Sequence, residues 1–166
     1  MKSTGDTIQL YKEIMGSYPT GVTIVTTADP QGEPVGLTVN SFTSVSIDPL
    51  LVLWCLDHRS GSFQAFQRSQ GFAVHVLAAE QEAACWAFAG KETDRFSKID
   101  WRWSEHQLPI ISGSFGLLQC KTVQKVEAGD HTIFIGEVVD LDRDEKKDPM
   151  LYYRRNVGAI PPDWKA

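Results

Sequence analysis

Cysteine is scarce in this chain. Three residues in 166, Cys55, Cys85 and Cys120, are too few and too widely spaced for a disulfide framework. No pair has C-x-x-C spacing, and the four histidines are scattered, so no metal centre is expected. The three thiols read as small core residues in a reducing cytosol, which makes the expected location cytoplasmic. Basic charge is also in short supply. Sixteen Lys and Arg against 21 Asp and Glu leave a net charge of −5, which argues against a nucleic-acid surface. No apolar run approaches the ~20 residues of a membrane span. The opening segment M-K-S-T-G-D-T-I-Q-L lacks the apolar core of a signal peptide. There is no G-x-S-x-G elbow, H-E-x-x-H helix, P-loop or Rossmann G-x-G-x-x-G. No repeats interrupt the sequence, and the length suits one domain spanning residues 1–166.

What is present centres on Gly36 to Leu56. Its first half, Thr38 to Ser46, carries five hydroxyls in nine residues, with Asn40 and Phe42 among them. Its second half, Leu50 to Leu56, is an apolar run of seven, which reads as a strand buried on both faces. Asp48-Pro49 separates the two as a turn. The hydroxyls admit two readings: a solvated edge strand, or the lining of a ligand rich in carbonyl, amide and phosphate groups.

Around this stretch the elements alternate. Asp6 to Tyr18 has apolar residues at helical spacing, with Asp6 or Thr7 as N-cap, and predicts a helix docked on the main body. Gly21 to Thr27 and Glu33 to Asn40 form a hairpin across Asp29-Pro30-Gln31-Gly32. Ser60 is expected to cap a helix from Gly61 to about Arg68, whose N-terminus could take a phosphate. Gly71 to Leu77 is a strand in which His75 reads as a structural residue. Glu80 to Ala89 is a helix apolar over most of its circumference, expected to pack between elements rather than on the surface, with Gly90 as its C′ residue. Lys91 to Trp103 reads as a loop. Two strands then flank a tight Gly129-Asp130 turn, with His131 opening the second. Asp142 to Asp148 is a charged turn.

Several motifs in this order carry a resemblance. T-V-N-S-F-T-S-V-S-I-D-P-L-L-V from Thr38 resembles the signature of the flavin reductase family. The V-T-I-V-T-T strand before it, Arg95-Phe96, Leu108-Pro109-Ile110-Ile111, Gly129-Asp130-His131 and Pro149-Met150-Leu151-Tyr152-Tyr153 occur in the family's order. The resemblance runs from about residue 18 to about 158, beyond a helix at about 6–18. It departs at Gln107-Leu108, where the family has glycine, and at Arg154 to Gly158, where an R-G-x-Y-G pattern is missing. No contact is carried over at 155–157.

The resemblance implies a mainly β fold with peripheral helices: an antiparallel, Greek-key, FMN-binding split β-barrel that forms homodimers. It implies an NAD(P)H-dependent reductase of FMN or FAD that supplies reduced flavin to a partner monooxygenase, with NADH or NADPH as hydride donor. Flavin would lie against Thr38, Val39, Asn40, Ser41, Phe42 and Thr43, with the backbone of Trp54, Cys55 and Leu56 behind the ring. Ser60 and Ser62 would meet the phosphate. Arg95, Phe96, Asp130 and Tyr152 complete the implied cofactor set. His131 would stand beside the nicotinamide and position the rings, since hydride transfer needs no acid or base there. Two alternatives stay open: a flavin- or haem-binding protein that does not turn over, and a pyridoxamine-phosphate-oxidase-like enzyme. The latter would want a larger cationic cluster than Arg154-Arg155.

Overall fold

The computed structural model describes residues 3–91 and 94–164. The first element is helix α1, Thr4–Gly16. It begins earlier than the expected cap at Asp6 or Thr7 because Ser3 and Asp6 close a reciprocal capping box. Asp6 N–H donates to Ser3 Oγ at 3.1 Å, and Ser3 N–H donates to Asp6 Oδ2 at 3.1 Å. The expected docking does not occur within one chain: α1 buries none of its residues.

The strands follow in order as β1 (Thr20–Gly21), β2 (Thr23–Ala28), β3 (Pro34–Val39), β4 (Thr43–Ile47) and β5 (Leu50–Asp57). Helix α2 (Phe63–Arg68), β6 (Gly71–Val76) and helix α3 (Glu82–Ala89) come next. The chain ends with β7 (Trp101–Trp103), β8 (Pro109–Ile111), β9 (Gly116–Ala128), β10 (His131–Arg143), β11 (Leu151–Tyr153) and β12 (Asn156–Gly158).

Seven strands form one antiparallel sheet in the order β3-β2-β6-β9-β10-β5-β4. Its two edges, β3 and β4, are consecutive in the chain and joined only by Asn40-Ser41-Phe42. Laid flat, seven strands would put those edges about 29 Å apart. The link from Val39 to Thr43 can reach only about 14 Å. The sheet must therefore curl until its edges nearly meet. The result is a barrel split between β3 and β4, with the hydroxyl-rich stretch at the split.

Inside the barrel, Trp54 stacks on Phe134 at 4.9 Å and meets Phe66 and Phe72 edge-on at 4.8 and 5.8 Å. Alternation along β5 buries Val52, Trp54 and Leu56 there, while Leu51, Leu53 and Cys55 stay half-exposed. The expectation of a strand buried on both faces thus fails in the single chain, since no layer of the same chain fully covers the outer face. A second cluster, including Ile24, Leu77, Cys85, Phe88 and Met150, lies under α3. Helix α3 starts at Glu82 and buries Ala84, Cys85 and Phe88, but leaves Trp86 exposed, so it lies on the surface of the barrel. Gly90 caps it in extended backbone, at φ −72°, and needs no left-handed turn. The loop expected from Lys91 to Trp103 contains a 3-10 turn at Phe96–Lys98 and strand β7, which pairs with β8; Glu92 and Thr93 lie outside the described residues.

His75 is fully buried, as its reading as a structural residue requires. Ile111 N–H donates to His75 Nε2 at 3.1 Å, so Nδ1 carries the proton and donates to Ile24 O at 3.0 Å. Burial lowers its pKa to about 4, which keeps the ring neutral.

Candidate functional site

At the split, Ser41 does the work of a missing strand. The β4–β5 ladder reaches Thr43 opposite Leu53 and stops. Beyond it, Cys55 N–H donates to Ser41 Oγ at 3.0 Å and the Ser41 hydroxyl donates to Cys55 O at 3.3 Å. One side chain thereby satisfies both backbone groups of Cys55 on its open side. Thr38 is tied to α3, its hydroxyl donating to Cys85 O at 2.7 Å, and Val39 O accepts from Thr23 Oγ1 at 3.1 Å. Phe42 packs against the barrel core. Asn40 is exposed and makes no side-chain hydrogen bond among the described residues. Thr43 is exposed and holds only a 3.5 Å contact to Ser44 O. Asn40 and Thr43, with Ser44 and Ser46, are therefore the polar groups of this stretch with capacity to spare.

The β5–β10 register brings His131 to the same place. His131 stands opposite Asp57, and Ile133 opposite Cys55. Facing pairs share a side, so His131, Asp57, Ile133, Cys55 and Leu53 lie on the outer face, away from Trp54, Leu56 and Phe134. His131 and the Ser41–Cys55 clamp are then separated by about 7 Å along the strands and about 5 Å across them. Ninety residues of sequence separation vanish in that pairing.

The hairpin turn fixes the imidazole. Gly129 has φ +65°, as the first central residue of a type II′ turn requires. Asp130 O accepts from His58 N–H at 3.0 Å, which docks the 57–60 loop on the turn. Asp130 Oδ1 lies 2.7 Å from His131 Nδ1. That bond holds the Asp130 carboxyl below the usual carboxylate range. An ionised carboxylate only accepts, so Nδ1 donates to Asp130 and Nε2 is left without a protein partner among the described residues. Asp57 is likewise held low, chiefly by hydrogen bonds from the Arg59 side chain and backbone. His58 Nε2 lies 3.0 Å from Thr132 Oγ1, and its ring meets Phe63 at 5.0 Å.

A cleft of about 230 Å³ opens beside β3, lined by Gly36, Gly61, Ser62, Lys91, Arg95 and Phe96 among others. Lys91, Ser62 and a backbone turn suit a phosphate and the chain leading to it, though the volume is below that of a whole-ligand pocket. A larger cleft, about 540 Å³, lies elsewhere, along Ile110, Ser114 and Asp142 to Lys146. It contains none of the residues expected in the site, and its acids and bases balance.

Four of the expected site residues have structural partners of their own. Ser60 does not cap α2. The helix begins at Phe63 with Ser62 at its cap in helical backbone, and Ser60 Oγ accepts only from Ser62 N–H at 3.3 Å. Arg95 is engaged by the backbone: Nη1 donates to Gly36 O and Nη2 to Gly90 O, both at 2.6 Å, bracing β3 against the end of α3. Phe96 stacks between Phe88 and Trp101 at 5.0 and 5.2 Å. Tyr152 sits in the separate β1-β11-β12 sheet, opposite Thr20, and packs on the second cluster. It is not gathered with the β3–β5 stretch.

Sequence reading passed over Gly36, Lys91 and Asp57. Asp57 was recoverable, since two strands ending together at Asp57 and His131 imply the pair. Gly36 was not, because its need arises from Phe88: a Cβ there would lie 2.9 Å from that ring.

Known proteins resemble this chain in sequence and in fold. The flavin reductase like domain matches residues 15–161. The flavin reductase of Pseudomonas putida is 40% identical over 152 residues, covering 92% of this chain and 89% of that protein. The reductase subunit HsaB of a flavin-dependent monooxygenase in Rhodococcus jostii is 39% identical over 153 residues, covering 92% and 78%. The NADH:FAD oxidoreductase of Streptomyces globisporus, solved in complex with NAD and FAD fragments, superposes with a TM-score of 0.89 at 38% identity, covering 99% of both chains. The match to the family over most of the chain, with relatives about 40% identical across its length, shows that the chain belongs to the flavin reductase family.

Proposed function

We propose that the protein is an NAD(P)H:flavin oxidoreductase that reduces FMN or FAD and delivers it to a flavin-dependent monooxygenase. Bound flavin supplies the hydride-accepting centre, and NADH or NADPH supplies the hydride. The chain's part is to bind and orient. Asn40 and Thr43 offer hydrogen bonds at the split, and Ser41 holds the Cys55 backbone rigid behind the ring. Trp54 and Leu56 contribute backbone only, their side chains being buried. Ser62 and Lys91 meet the phosphate, while Arg95 keeps the walls of that cleft together. His131, its Nδ1 fixed by Asp130, presents Nε2 to the nicotinamide and sets its position.

The observation that carries this reading is the meeting of His131 with the Ser41–Cys55 clamp on one outer face. The three thiols are protonated and take no part, with burial pushing Cys85 up to about 11 and Cys120 up to about 12. Among the described residues no helix is long and apolar enough to cross a membrane. With free cysteines, that supports a place in the reducing cytoplasm. The whole chain acts as one domain. It pairs as a homodimer, supported by apolar residues on the uncovered outer face of β5 and β10: Leu51, Leu53, Ile133 and Ile135.

The test is nicotinamide oxidation with each nucleotide, with and without FMN or FAD. Oxidation that saturates with added flavin and falls at least tenfold in His131→Ala supports the proposal. Flavin binding without oxidation by either nucleotide refutes it.

A further inference from the structure

Helix α1 is turned inside out with respect to its own chain. At 100° per residue, Ile8, Leu10, Tyr11, Ile14 and Met15 fall within one arc of about 160°. All five are exposed, Tyr11 at 64% and Ile14 at 60%, and Tyr18 continues the patch at 63%. The opposite arc is polar, and that side faces home: Gln9, Lys12, Glu13 and Gly16 line a cleft with Arg154 and Arg155 of the β11–β12 turn. The helix is tethered at its C-terminal end, where Arg154 N–H donates to Gly16 O at 2.9 Å and Arg154 Nε to Ser17 Oγ at 3.2 Å. An amphipathic helix normally buries its apolar arc. Here the tether aims that arc outward.

The same chain carries a second uncovered apolar surface. On the β4–β5 hairpin, Val45 is 47%, Ile47 87% and Leu50 45% exposed, and it runs into the half-exposed outer face of β5 and β10. We infer that α1 is an exchanged arm, its apolar arc seated on the exposed apolar side chains of the β4–β5 hairpin, Val45, Ile47 and Leu50, of a second copy of this chain. The inference rests on the homodimer reading and goes further, by naming the element that holds the two copies together. Each chain supplies one arm and one receiving face, so the contact is reciprocal and closes at two copies. Six half-exposed apolar side chains bring roughly 500 Å² per helix. Two arms and two receiving faces together exceed the ~1,000 Å² that a specific interface needs. A membrane surface is the poorer occupant. The polar arc carries Asp6 and Glu13 against Lys12 alone, whereas helices that lie on anionic lipid are rich in Lys and Arg.

Sedimentation of the full chain over a concentration series tests this with two variants, Tyr11→Asp/Ile14→Asp on the arm and Ile47→Asp on the hairpin. These side chains are exposed in the single chain, so the thermal midpoint of an isolated copy should be preserved, as circular dichroism can check. The expected result is a dimeric wild type and a dimer dissociation constant raised at least tenfold in each variant. A dimeric wild type with less than a tenfold change in the arm variant overturns the arm and spares the homodimer. A tenfold loss in the arm variant alone overturns the receiving face. A monomeric wild type overturns both readings.

Discussion

Replacing Ser41 with alanine removes one oxygen and strands two backbone groups. In the intact protein that hydroxyl accepts from Cys55 N–H and donates to Cys55 O, where β4 no longer pairs with β5. The site is half-buried, so water replaces the lost partner only in part. A stranded buried polar group costs about 1–3 kcal/mol, and the hydroxyl's own bond about 1 kcal/mol. A loss of about 2 kcal/mol in a domain of this size lowers the melting temperature by roughly 4–8 °C. The same change loosens the backbone proposed to lie behind the flavin ring, so FMN binding should weaken by about tenfold. Differential scanning calorimetry gives the first quantity and flavin fluorescence titration the second. Ser41→Thr, which keeps the hydroxyl, should recover most of both. An alanine variant that melts within 1 °C of wild type would show that Cys55 finds its partners elsewhere, and the clamp argument would fall. A variant that melts early yet binds flavin normally would detach the clamp from the flavin site.

Other consequences can be measured alongside. His75 is neutral and doubly bonded when folded, with its pKa lowered from 6.5 to about 4. The unfolded state therefore takes up the proton first, and stability falls as pH drops from about 6.5, the full loss of about 3 kcal/mol being reached near pH 4; denaturant midpoints that stay flat over this range, or that change equally in His75→Gln, would contradict it. Gly36→Ala would push a methyl to 2.9 Å from the Phe88 ring and 3.1 Å from Thr26, forcing α3 off β3 at about 1–3 kcal/mol; an unchanged melting temperature would mean that the helix moves freely. Arg95→Lys should behave like Arg95→Ala, because only the guanidinium fork reaches Gly36 O and Gly90 O together; full recovery of flavin affinity by lysine would show that the positive charge, and not the fork, is what the site needs.

Much of the barrel was legible because its strands advertise themselves. The β-branched run at Thr23–Ala28, the alternation of β9 and β10 and the Gly-Asp turn between them each fix an element locally. Misreadings came where a residue's surroundings are set from afar. Leu50 to Leu56 looks buried on both faces because its sequence is apolar on both, but a single chain covers only one. The α1 arc misled in the same way, since periodicity reveals an apolar face without saying which molecule covers it. Arg95 was named from a motif, yet its donors go to two carbonyls that only the folded chain brings within reach. Ser41 and His131 were named from motifs, but their proximity is a matter of strand register that no local pattern contains.

The most direct test of the central claim is an anaerobic single turnover. Protein loaded with oxidised flavin is mixed rapidly with NADH or NADPH, and the loss of the oxidised-flavin absorbance is followed for wild type and His131→Ala. The account predicts fast bleaching with at least one nucleotide, and bleaching at least tenfold slower in the variant while flavin affinity is unchanged. Equal rates in the two proteins would remove His131 from the site, and no bleaching with either nucleotide would contradict hydride transfer on this barrel altogether.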